Sequence, residues 1–307
     1  MRAASYFDPR TRIPIRAGMD LPSLEGGHRV HALLSTRLRP ESVVTRTHAP
    51  HAHWSAEYFK LVDVGLFRGA TNEQKWKILD LCGRGLLEEA YFIEKSGIAF
   101  AAQMILLSES IEERMLYAVF AAEEARHFDS LRPFVEAPPD APSGPFLALL
   151  KDVIECGDRA ALQFIVQVIL EGWGLSHYRT LRDGCGTPAL YHRLDAILHD
   201  EAAHHGSGKV LFGEASVSEG TLEYIEVVLA AMLAMVRAGP VGVVAAIDET
   251  LGGVSPSQRS EVLRELGATE HARNRLEHLK QLVRFETVRS VVERLESKGL
   301  FAAPEDP

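Results

Sequence analysis

The sequence predicts an all-α protein, and three observations carry that expectation. Apolar residues recur at helical spacing from Ser55 almost to the end of the chain. Strand-like alternation is scarce. One pattern of acids and histidines also recurs at an offset of 77 residues in a second helical stretch. With 307 residues, 46% hydrophobic and 24% charged, the chain has a globular composition and room for a substantial core.

Taken in order, residues 1–55 form an irregular N-terminal arm with eight arginines, no lysine, five prolines and five of the thirteen histidines. One short helix is expected around His28 to Arg37. The basic excess suits an arm packed on an acidic body, or an acidic partner. His48, His51 and His53 precede Trp54 in a Pro-interrupted loop without cysteine, which is weak context for a metal site. Residues 56–307 then read as a single helical domain, with a bundle core at about 72–210 and accessory helices after it.

Asn72–Gly97 carries an apolar stripe through Trp76, Leu79, Leu86, Leu87, Ala90 and Ile93. Glu109–Phe134 is the second helix, stopped near Pro133 and by the loop APPDAPSGP. A third is expected from about Phe146 to Arg182, ending in RDGCGTP. The fourth starts after Pro188 and runs towards Gly206. Glu219–Arg237, a stretch around Val241–Thr250 and a long helix from Thr269 to Lys298 complete the chain. There is no Gly-rich phosphate loop.

Composition removes several classes of function. A net charge of −9 argues against a nucleic-acid duplex as partner. Cys82, Cys156 and Cys185 form no CxxC and leave one thiol over, so neither a disulfide framework nor a zinc ribbon is expected. The start MRAASYFDPRTR has no apolar signal region, and the longest apolar run, Val227 to Val236, is about half a membrane span. A cytoplasmic protein with no membrane partner is the expectation.

The chemistry sits in the repeat. IEKSGI at 93–98 matches LEGWGL at 170–175, and EEARH at 123–127 matches DEAAH at 200–204, without a gap. The offset takes Glu94 to Glu171, Gly97 to Gly174, Glu123 to Asp200, Glu124 to Glu201 and His127 to His204. With 29 glutamates and 13 histidines, about one E-x-x-H is expected by chance, and Glu25–His28 accounts for it. A salt-bridged helix surface would have to place six such groups in register twice.

Residues three apart share a helix face, so Glu124 with His127, and Glu201 with His204, can reach one ion or adjacent ions. A lone Glu from each partner helix completes the ligand set of a dinuclear four-helix bundle. Four buried carboxylates without cations would repel one another and force protonation; two divalent ions balance them.

Helices carrying E…EExxH…E…DExxH resemble the ferritin-like di-iron carboxylate superfamily, over roughly residues 72–210. The resemblance implies a ferritin-like four-helix bundle with additional N- and C-terminal helices. It also implies two Fe ions (Fe/Mn is the other option) and O2 as co-substrate. Glu94 and His127 would bind one iron, Glu171 and His204 the other, and Glu124 and Glu201 would bridge. Glu123 and Asp200 match the acids that accept a hydrogen bond from a ligand histidine and fix its tautomer. Glu88 and Glu89 fall outside the repeat and read as solvated.

Departures narrow the branch. Leu131 stands where reductase small subunits carry their radical tyrosine, and the end FAAPEDP lacks their partner-docking tyrosine. Leu175 replaces the usual monooxygenase threonine, Ile197 replaces the third histidine of arylamine N-oxygenases, and the rubredoxin cysteines of rubrerythrins are missing. The extra residues around the core exceed what a storage subunit needs. Tyr117, Tyr178 and Gln167 lie on the ligand faces, with Gly97, Gly174 and Leu175 beside them. They read either as a substrate pocket or as close packing with internally bonded tyrosines.

The expectation is therefore an oxidoreductase: a non-haem di-iron oxygenase or oxidase acting on a small organic substrate, free or carrier-bound. Hydroxylation (as a monooxygenase), N-oxygenation and desaturation all stay open. An electron donor or reductase would serve it, and a homodimer is compatible. The alternative is a ferroxidase or iron-handling protein without an organic substrate.

Overall fold

The computed structural model describes residues 17–38, 53–136 and 140–305. Among them all regular structure is helical, beside one isolated bridge between Trp54 and Cys185. The helices are α1 (Arg29–Leu38), α2 (Gly65–Gly69), α3 (Asn72–Leu107), α4 (Ile111–Leu131), α5 (Pro145–Ile154), α6 (Arg159–Leu162), α7 (Glu171–Gly184) and α8 (Pro188–Glu214). They are followed by α9 (Glu219–Arg237), α10 (Val241–Leu251), α11 (Pro256–Glu265), α12 (Ala268–Leu282) and α13 (Arg289–Ser297).

Several boundaries differ from the sequence expectation for local reasons. α3 runs on past Gly97 to Leu107, because IAFAAQMILL consists mostly of good helix formers with no breaker. α4 starts at a Ser110 cap whose side chain accepts from the Glu113 N–H, and Pro133 tightens its end into a 3-10 turn, Arg132–Phe134.

The expected third helix is broken. Gly157 adopts a left-handed φ of 69°, and the Asp158 carboxylate accepts from the Ala161 N–H at 2.9 Å to restart the chain as α6. α6 passes into a π-helical segment, Gln163–Leu170, and then into α7. The expected helix from Thr269 to Lys298 is broken too. Phe285 turns inward against Phe212 and Phe164, at 5.3 and 6.1 Å between ring centroids, which ends α12 and restarts the chain at α13. Tertiary packing overrides propensity there.

The chain divides into two compact units, with a boundary inside α3. The first comprises Met1–Ala49 and Leu87–Leu162. Here Ala17 and Met19 of the arm are buried, and Lys95 holds that segment by donating to the carbonyls of Met19 and Leu21 at 2.8 and 2.7 Å. Phe100, Tyr117 and Phe120 stack edge to face, and Arg159 clamps the buried Glu113 at 2.8 Å and Glu109 at 3.2 Å.

The second unit comprises Pro50–Leu86 and Gln163–Pro307. Trp54, fully buried, donates from Nε1 to the Leu181 carbonyl at 2.8 Å. Glu265 accepts from the Gly65 N–H, and Glu226 on α9 pairs with Arg294 and Lys298 at 2.6 and 2.8 Å. α11 opens with a reciprocal capping box between Ser255 and Gln258.

By length and composition α3 is also long and apolar enough to cross a membrane, with half of its most apolar window buried inside the protein. That burial, together with the buried Glu94 inside it, is what a core helix shows.

Candidate metal centre

In the first unit, α4 places Glu124 and His127 one turn apart on its buried face, and α3 supplies Glu94. Only 1% of Glu94, 6% of Glu124 and 4% of His127 is exposed. One ligand atom from each lies within 4.8 Å of those of the other two, and His127 Nδ1 stands 3.3 Å from Glu94 Oε2. Gly97, one turn beyond Glu94, makes this possible. A Cβ there would lie 2.6 Å from the Glu124 carboxyl carbon.

In the second unit, Glu171, Glu201 and His204 likewise lie within 4.8 Å of one another by one ligand atom each. His204 Nδ1 stands 3.7 Å from Glu201 Oε1. His204 and Glu201 are buried, whereas Glu171 is half-buried. Glu171 is the first residue after the π segment. A π turn widens the helix and shifts the register of the residues beyond it.

The repeat glycines have different roles. Gly174 has nothing within 4 Å of where its Cβ would be, so the close approach seen at Gly97 is not repeated there. Gly172 and Gly208 are closely packed instead. A Cβ at 172 would meet His205 at 2.7 Å and Leu282 at 2.8 Å, and one at 208 would run into the Gln167 side chain. His205 Nδ1 sits 3.1 Å from the Gln167 carbonyl, within the π segment whose backbone bonds are rearranged, so it ties α8 to that segment.

The remaining sequence candidates fall as follows. Glu123 and Asp200 are half-buried, and Glu123 lies 3.7 Å from Arg126. Tyr117 is fully buried within the Phe100–Phe120 cluster, Tyr178 is buried, and Gln167 is fully buried. Leu175 is half-buried. A surface cavity of about 440 Å³ is lined by Lys280, Val283, Arg284, Phe285, Glu286, Arg289, Val292, Glu293 and Glu296, none of them a predicted pocket residue. His48 and His51 lie outside the described residues, while the His53 ring is 2.9 Å from the Thr187 hydroxyl and burial lowers its pKa.

Sequence reasoning missed Gly172, Gly208 and His177. The His177 Nε2 atom is shielded from water with no hydrogen-bond partner among the described residues, and burial, reinforced by the Arg275 charge, lowers its pKa to about 4. Arg275 itself stacks 4.5 Å from the Trp173 ring centroid. The neighbouring Tyr58, pushed up to about 12 by burial, fills the space that the absent side chain of Gly184 leaves.

The described structure is thus helical, with buried sets of carboxylate and imidazole groups compatible with metal binding. Comparison with known proteins finds nothing similar: no protein-family model, no curated protein and no solved structure matches this chain.

Proposed function

We propose that Glu94, Glu124, His127, Glu171, Glu201 and His204 together hold two divalent metal ions, iron with iron or iron with manganese. On this reading α3, α4, α7 and α8 form a ferritin-like four-helix bundle, and the protein is an O2-dependent oxidoreductase for a small organic molecule. One observation carries it. The same trio of two carboxylates and one imidazole occurs twice, each within 4.8 Å, at positions related by the 77-residue repeat.

The donor set fits such ions. Each trio holds two carboxylates whose charge one divalent cation offsets, and carboxylate with imidazole suits Fe(II) and Mn(II) alike. When bound, the ions supply the electrons that reduce O2. The chain's own residues do the rest. Gly97 reserves the volume for the Glu124 carboxylate, and near-complete burial of the first trio keeps water away from it. The second trio is the more open, with Glu171 and Leu175 half-buried and free space at Gly174, so the organic substrate approaches along α7. Glu123 and Asp200 orient ligand histidines. An electron donor restores the reduced state.

The test is metal analysis of protein from iron-replete cells, followed by O2 addition to the anaerobically reduced form with optical monitoring. Two ions per chain, and a decay altered by organic candidates, are expected. If Fe(II) is instead oxidised over many turnovers and no organic compound changes the decay, the iron-handling reading replaces this one. A protein that binds no metal sinks both.

A further inference from the structure

The outward face of α4 has a pattern of its own. Its buried face is 113, 117, 120, 124, 127 and 131, the face that carries two of the metal-ligand candidates. The opposite face presents Glu112, Met115, Val119, Ala122 and Arg126, spaced 3, 4, 3 and 4, all of them exposed. That spacing is the seam by which one helix packs along another. Met115 is 63% exposed and Val119 53%. Large apolar residues in one contiguous strip mark a surface meant for a partner.

The strip also says which partner. It is acidic at one end (Glu112), basic at the other (Arg126), and apolar between them, with Val119 midway. Reversing the helix about Val119 brings Glu112 onto Arg126 and Val119 onto its own copy. The seam is therefore complementary to itself in charge, with an apolar side chain at its centre. This is the requirement of an isologous two-fold contact, in which residue i meets j and j meets i. Glu112 and Arg126 each lie seven residues from Val119, about 10 Å along the axis, so both ion pairs form when the helices cross at a shallow angle. The next pair across the same axis, Glu109 with Asp129, would be like-charged. Each already has its own cation, Arg159 at 3.2 Å and Arg132 at 3.4 Å.

We propose that this face of α4 is the interface of a homodimer, with α4 packed antiparallel against α4 of a second copy and Val119 on the two-fold axis. The proposal is independent of the metal reading, since it uses the opposite side of the helix.

The test is sedimentation velocity of the full-length protein over a range of concentrations. The wild type sediments as a dimer. V119E sets two carboxylates face to face on the axis and gives a monomer, with helicity by circular dichroism unchanged. E112R and R126E each weaken the dimer at least tenfold, because each places like charges together, and the double variant E112R/R126E restores it. A monomeric wild type overturns the proposal. So does a dimer indifferent to V119E, which would lie on another surface, and so does a double variant that fails to recover, which would exclude the antiparallel register.

Discussion

An alanine at position 97 would bring its Cβ to 2.6 Å from the Glu124 carboxyl carbon, so the carboxylate must leave its place in the first trio. G97A is expected to fold but to hold about one metal ion in place of two, by metal analysis. At the repeat-related position nothing obstructs a methyl group, so G174A should keep both ions and gain up to about 1 kcal/mol from helix propensity, read from urea unfolding. His177 gives a second measurement at this scale. Because burial lowers its pKa from 6.5 to about 4, the folded protein binds that proton more weakly than the unfolded chain. Its contribution is therefore intact above pH 6.5, fades as the pH falls through that window, and is lost below about 4. Between pH 7 and pH 5 the loss is about 2 kcal/mol. H177Q should remove that part of the slope. His53, His205 and His271 are shifted in the same direction and would keep their share.

The helices themselves were legible where their signals are local. The E-x-x-H pairs could be placed on single helix faces because i, i+3 spacing needs no tertiary knowledge, and α9 runs over the expected Glu219–Arg237. The break at Gly157–Asp158 had a local signal, a left-handed stop followed by a capping acid, which the apolar runs on either side outweighed. The π segment had none: QFIVQVIL reads the same in either helical form, and only its partners set the form it takes. Nor could periodicity find Ala17 and Met19, which are buried through the grip of Lys95 on two backbone carbonyls. One of the π segment's partners is His205, which contacts the Gln167 carbonyl. H205A strands that polar group and should destabilise the protein by about 1–3 kcal/mol, with G208A adding strain at the same contact. Hydrogen exchange should locate the loosening in 163–170. Unchanged protection there would mean that the ring does not hold the segment.

For the whole molecule, metal binding and folding are one equilibrium if the trios are what they are proposed to be. On that reading, the carboxylates of each trio lose their neutralising charge when the ions leave. Ions bound at a hundredfold excess over their Kd contribute about 2.7 kcal/mol per site. Stripping them with a chelator at pH 7 should lower Tm by several degrees, and adding Fe(II) or Mn(II) anaerobically should restore it. Identical melting of the stripped and loaded forms would show that the four carboxylates do not share ions.

The bond between the Gly65 N–H and Glu265 spans 200 residues of chain, and that from Trp54 to Leu181 spans 127. On the ribosome, residues 53–69 therefore emerge long before the helices that will cover them. Trp54, Phe59 and Phe67, all buried at the end, must wait uncovered in the meantime. Contacts so remote in sequence make for slow folding and a nascent chain that is prone to aggregate. A chain cut after α8 would keep every proposed ligand, yet leave Gly65 without its distant acceptor. Its solubility should depend on chaperones far more than that of the full-length protein.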